Sequence, residues 1–172
     1  MIKYARITNQ KNGLCEVGLG TNSAFYQSIG MAEMEVEQSY DGSWYLLGYA
    51  PQMPLETAKE IKLDELSSIK ATKLLTLNYE GNVYQVDSDS KINISGKVSQ
   101  ILLATSSGQD IGAINWITKD NKVVSFSKEE FMAFGVAVAA HTEMILFKHD
   151  QLRTAVNSAS SIDELKGIRW IE

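Results

Sequence analysis

The sequence predicts an α+β fold, and three observations carry that expectation. Residues 34–37 with 44–49, and residues 114–118 with 122–126, are paired apolar segments joined by turn residues, the pattern of antiparallel hairpins. Residues 55–77 and 131–155 instead repeat apolar side chains at three- and four-residue steps, the spacing of helix faces. Both prolines, Pro51 and Pro54, fall in one short stretch between these regions. Each biases its predecessor toward extended backbone, so a boundary is expected there. The expected organisation is a β-rich module over 1–50, a Pro-started connecting helix over 51–78, and an α+β domain over 79–172 made of helix, hairpin and long helix.

In chain order, 2–8 has strand character, and Asn12-Gly13 supplies the positive φ of a turn. A second strand is expected over 14–19. Thr21 is expected to cap a short helix over 23–29 that ends at Gly30. Met34-Glu35-Val36-Glu37 alternates at period two, Asp41-Gly42 turns, and Trp44 begins the return strand to Tyr49. Pro54 suits the start of a helix that should run to Leu77 through Leu55, Ala58, Ile61, Leu66 and Ile69.

Residues 78–82 read as a turn, followed by a strand over 83–86 and a helix over 92–105 capped by Ser88 or Ser90. Gly96 weakens that helix by about 1 kcal/mol relative to Ala. Lys119-Asp120-Asn121 turns the second hairpin. Ser127 with Glu130 three residues on is a capping box that opens the longest helix, expected to reach Ala155. Ser160 or Ser161 with Glu164 caps a last short helix over 163–166.

The long helix carries a stripe at Phe131, Phe134, Val138, His141, Ile145, Lys148, Leu152 and Ala155. It would rise roughly 38 Å over its length. A second apolar row runs through Met132, Val136, Ala140, Met144 and Phe147. Two apolar sides need two neighbours, so a helix over 128–155 either packs wholly within its own chain or also meets a second chain, as a homo-oligomer would. Candidate interface side chains are Phe131, Phe134, Val138, Ile145 and Leu152 on this helix, with Trp44, Tyr45 and Trp170 elsewhere, because aromatic anchors dominate protein interfaces.

Composition narrows the chemistry. The chain has 172 residues, 44% hydrophobic and 22% charged, and a formal charge of −5. Its basic residues are scattered, so neither nucleic acid nor an acidic membrane surface is an expected partner. Arg6 interrupts the opening apolar residues, which read as neither a leader nor a span. The lone Cys15 makes no intrachain disulfide.

No metal, cofactor or catalytic set is expected. His141 and His149 lie eight residues apart, roughly 12 Å along a helix, too far to share one ion. Asp87-Ser88-Asp89-Ser90 begins like a calcium loop, but the sixth position is Ile92 and the twelfth Val98. Helix capping accounts better for those side chains. Gly18-Leu19-Gly20 lacks a phosphate-binding Lys, and Glu35 with Glu37 fits a solvated strand face.

Four features in order carry a resemblance: Tyr84-Gln85-Val86-Asp87, an aromatic strand ending in Asp; Ser90-Lys91-Ile92-Asn93-Ile94, a helix start; the Trp116 hairpin; and the long Phe/Ala/His helix. From about 79 to 171 the chain resembles an uncharacterised domain family found at the ends of phage and prophage tail-fibre and tail-fibre-assembly proteins. The resemblance implies a non-enzymatic tail-associated protein. Its expected partner is a tail-fibre or baseplate protein, met in the bacterial host cytoplasm or in the virion tail. The chain is short, acidic and non-repetitive, unlike a fibre, which favours a tail-fibre assembly factor, a chaperone acting in virion assembly. The alternative is a structural tail-fibre or baseplate subunit retained in the particle.

Overall fold

A computed structural model describes residues 1–171. The fold is α+β and divides into two compact units, Met1–Ala58 and a second from Lys59 onward.

The first unit is a small closed barrel. β1 (Ile2–Asn9), β2 (Leu14–Val17), β3 (Ala32–Gln38) and β4 (Trp44–Leu46) pair antiparallel in the order β1-β2-β4-β3, and β3 returns to β1. Closure gives every strand two neighbours. The alternation in β3 does what period two requires: Val36 is buried with Ala5 and Cys15, while Glu33 and Glu35 face out. Burial pushes the Cys15 thiol pKa up, as expected of a packed cysteine.

The return strand is shorter than expected. β4 stops at Leu46 because the Glu37 carboxylate accepts hydrogen bonds from the Gly48 and Ala50 N–H groups at 2.7 and 3.0 Å. Those bonds, Ala50 first, hold the Glu37 carboxyl below the usual range. Tyr49 then folds back onto Gly13, where a Cβ would lie 2.7 Å from the tyrosine side chain. α1 (Ser23–Ser28) forms where expected, but Asn22 rather than Thr21 caps it, accepting from Phe25 N–H at 3.0 Å.

The second unit contains α2 (Leu55–Lys73) apart from its first turn, then two hairpins and three further helices. A separate connector over 51–78 and a domain from 79 are expected from the residues; the boundary between the compact units lies between Ala58 and Lys59. α2 is also shorter than expected. It ends at Lys73, and Leu77 belongs to β5 (Thr76–Tyr79), paired with β6 (Asn82–Gln85). Glu80 and Gly81 at φ 46° and 77° form the two-residue loop, a hairpin turn of the kind that requires both residues left-handed. Leu77 opposes Tyr84, and that cross-strand pairing overrides helical spacing.

α3 (Ser88–Ser106) starts one turn earlier than expected. Asp87, not Ser88 or Ser90, is its cap and accepts from Ser90 N–H at 2.8 Å. β7 (Ile114–Ile117) and β8 (Val123–Phe126) form the second hairpin, with Thr118 and Asp120 closing its turn. Ser127 and Glu130 make both halves of the capping box that opens α4 (Lys128–Ser158). Ser161 caps α5 (Ile162–Gly167).

An aromatic cluster joins these pieces. The Phe134 ring on α4 lies 4.7 Å from Tyr84, 5.3 Å from Tyr79, and 5.6 and 5.7 Å from Phe126 and Phe131. Trp116 packs edge-on to Phe131 at 5.1 Å. Both hairpins are therefore fastened to α4 through rings one helical turn apart. Phe134→Ala is expected to cost on the order of 3–5 kcal/mol, read as a lower urea midpoint; a cost under about 1 kcal/mol would refute the central place given to this ring.

Candidate functional site

The inward face of α4 is spent on the core. Phe131, Phe134, Val138 and Ile145, four of the candidate interface residues, are buried in their own unit. They offer no free surface: Phe131, Phe134 and Val138 lie in the core formed with the hairpins and α3, and Ile145 is buried further along the helix. Leu152 is half-buried. Trp44 is half-buried against the barrel core with Lys3 Nζ 5.1 Å above its ring, and Tyr45 is buried. The residues offered as an interface are thus mainly packing residues.

The second apolar row is the exposed one. Val136 is 69% exposed, and Met144 and Phe147 are each 62% exposed. At about 100° per residue, Val136, Ala140 and Phe147 fall within roughly 40° of one another and point away from Phe134, Val138 and Ile145. The outward face is therefore mainly apolar from Val136 to Phe147, with the exposed Glu143 among these side chains. Beyond it, Asp150 and Gln151 make the face polar, and Arg153 hydrogen-bonds Asp150 from the flank.

A groove of about 770 Å³ runs beside this face, between α3 and α4. Ile94, Val98 and Gly135 lie along it; Leu146 and Phe147 extend it; Lys91 and Glu143 are its charged side chains. Gly135 creates the close approach: a Cβ there would sit 2.8 Å from Val98 Cγ2. Sequence reading passed over Gly135, although an isolated glycine inside a helical pattern signals close packing. A second cleft of about 660 Å³ involves Leu77, His141, Ile145, Lys148 and Trp170. Trp170, the remaining candidate, is half-buried there.

Ionisable groups with shifted titration do not gather in either recess. The Asp87 carboxyl is held low by the Ser90 N–H, and that of Glu164 by the Ser160 N–H. Asp120 is held low first by its Lys122 partner. Burial raises the Tyr79 and Tyr84 hydroxyls inside the core. These are cap, turn and core roles. Among the described residues, no three His, Cys, Asp or Glu side chains are placed to hold a metal ion. The arrangement is suited to covering apolar surface on another molecule.

Residues 57–168, well over half of the chain, match a family described as a domain of unknown function, DUF4376. The chain belongs to this family. No curated protein and no solved structure matches it. The DUF4376 match includes α2 from its third residue, both hairpins, α3 and α4, so the aromatic cluster and the groove both lie inside it.

α4 is also long and apolar enough to cross a membrane, with an 18-residue window of mean hydropathy 1.4. Length and composition are shared by core helices, and here Phe131 and Phe134 hold two hairpins. Moving α4 into a bilayer would strip both hairpins from their support.

Two glycines test the groove. Gly96→Ala fills open space on α3, whereas Gly135→Ala meets Val98, a branched side chain with little rotamer freedom. Helix propensity favours alanine by about 1 kcal/mol at both sites, so it cancels between them. Gly135→Ala is expected to be the less stable by about 1–3 kcal/mol. Equal urea midpoints would mean that α3 and α4 are not in tight contact there.

Proposed function

We propose that this DUF4376 protein is a phage tail-fibre assembly factor that binds a fibre polypeptide through the outward face of α4 and the adjoining groove. The observation that carries the reading is the exposed apolar row Val136, Met144 and Phe147 on a helix whose opposite face is already buried. A row of this kind is normally covered in its working state. A fibre chain awaiting its partners presents complementary apolar surface and unpaired strand edges. The four-part sequence pattern from Tyr84 to the long helix supports the choice of partner, and the formal charge of −5 would help keep a complex soluble. The reaction is association, with no bond made or broken.

Co-expression with a phage tail-fibre polypeptide tests the proposal. Soluble fibre yield is expected to rise with the wild-type protein and to fall back with Val136→Glu and Phe147→Glu. Both positions are exposed, so stability should change by no more than about 0.5 kcal/mol. Equal soluble fibre with and without the protein would overturn the reading, and so would capture of the wild-type protein on liposomes in preference to fibre. Mass spectrometry of purified particles separates assembly from structure: an assembly factor is absent or substoichiometric, whereas stoichiometric retention would make it a tail-fibre or baseplate subunit.

A further inference from the structure

α2 and α4 run antiparallel, and two hydrogen bonds show their register. Lys59 Nζ donates to Asn157 O at 3.2 Å, and the His141 ring bonds Lys73 O through Nε2 at 3.1 Å. A carbonyl only accepts, so His141 Nε2 carries the proton in this bond. Midway between Asn157 and His141 on α4 stands His149. Its ring is half-buried, and its Nε2 atom is enclosed with no hydrogen-bond partner.

We propose that His149 is an acid-sensitive latch: neutral, it packs beneath α2, and protonated, it loosens the α2–α4 pairing. Three charged groups act on the ring. Lys70 on α2 and Arg153 on α4 oppose its protonation, and Asp150 on α4 favours it. Asp150 is already hydrogen-bonded by Arg153, which weakens its claim on the imidazole. A charge at Nε2 would have no acceptor and would face the Lys70 ammonium across the helix pair.

Burial is the largest cause of a lowered imidazole pKa here, with Lys70 next. The ordinary value, 6.5, describes the ring once it is released. As pH falls through that value the released form binds a proton that the packed form resists. Acid therefore favours opening. The stability held by neutral His149 is complete above 6.5 and is lost as pH falls toward the packed-state pKa.

Imidazole titration by long-range ¹H–¹⁵N NMR, paired with thermal melts between about pH 7.5 and 5.5, tests the latch. The only other histidine is His141, so loss of one signal in His149→Gln assigns the ring. The wild-type His149 midpoint is expected below 6.5, and Lys70→Gln should raise it. The melting temperature of wild type should fall further over this range than that of His149→Gln. A His149 midpoint at or above 6.5, a midpoint unmoved by Lys70→Gln, or parallel melting curves for wild type and His149→Gln would each overturn the proposal. Should His149→Gln fail to fold, the comparison of wild type with Lys70→Gln decides alone.

Discussion

The packing of two two-stranded hairpins onto Phe131 and Phe134 is the constraint on which the second unit depends; the hairpins also meet each other, Lys119 N–H donating to Val83 O at 2.8 Å. A two-stranded hairpin is at best marginally stable in water, and this unit has two of them, β5–β6 and β7–β8, in separate sheets. The first brings Tyr79 and Tyr84 to Phe134, and the second brings Trp116 and Phe126 to Phe131 and Phe134. Neither sheet has a third strand to support it, so α4 substitutes for one. The direction of α4's inward face is thereby set, and its outward face is left free of any folding duty.

That freedom makes the outward composition informative. Burying a large apolar side chain fully stabilises by roughly 1.5–3 kcal/mol. Val136, Met144 and Phe147 obtain little of this within the unit, since each is mostly exposed. Charged residues would serve a solvated face better. The turn after Phe147 has them, in Asp150 and Arg153 on the same helix. A change from a mainly apolar to a polar face, with the inward face still buried at Val156, follows no need of the core. It is what the proposed partner would require if it covered only the first part.

Much of the architecture was legible in the sequence because it is written locally. The Ser127–Glu130 capping box, the 114–126 hairpin and the alternation about Val36 all appear where residue types and spacing place them. The failures are tertiary. Leu77 fits a helical period as well as a strand, and only its cross-strand partner Tyr84 decides between them. Glu80 at positive φ concealed a tight hairpin turn, because that position favours Asn or Asp. The site was half legible: both apolar rows of α4 stood out, but periodicity cannot tell which row faces inward. Gly135 carried the missing information, since the helix that meets it packs on the adjoining side.

The two faces of α4 therefore differ in what they respond to. The outward row from Val136 to Phe147 spans eleven residue steps, roughly 16 Å at about 1.5 Å per residue. This matches three turns of a helix or a short strand laid along the groove, whose lining is mainly apolar with Lys91 and Glu143 as its charged side chains. The inward side at His149 meets Lys70 and lies within a turn of Phe147 in sequence. Loosening α2 there leaves Phe131 and Phe134, four turns toward the N-terminus, still clasped by both hairpins. Because the aromatic cluster and the α2 register are held by different residues, one end of α4 can give way while the other keeps its shape. Separate attachment along one long helix lets a single element be both scaffold and surface.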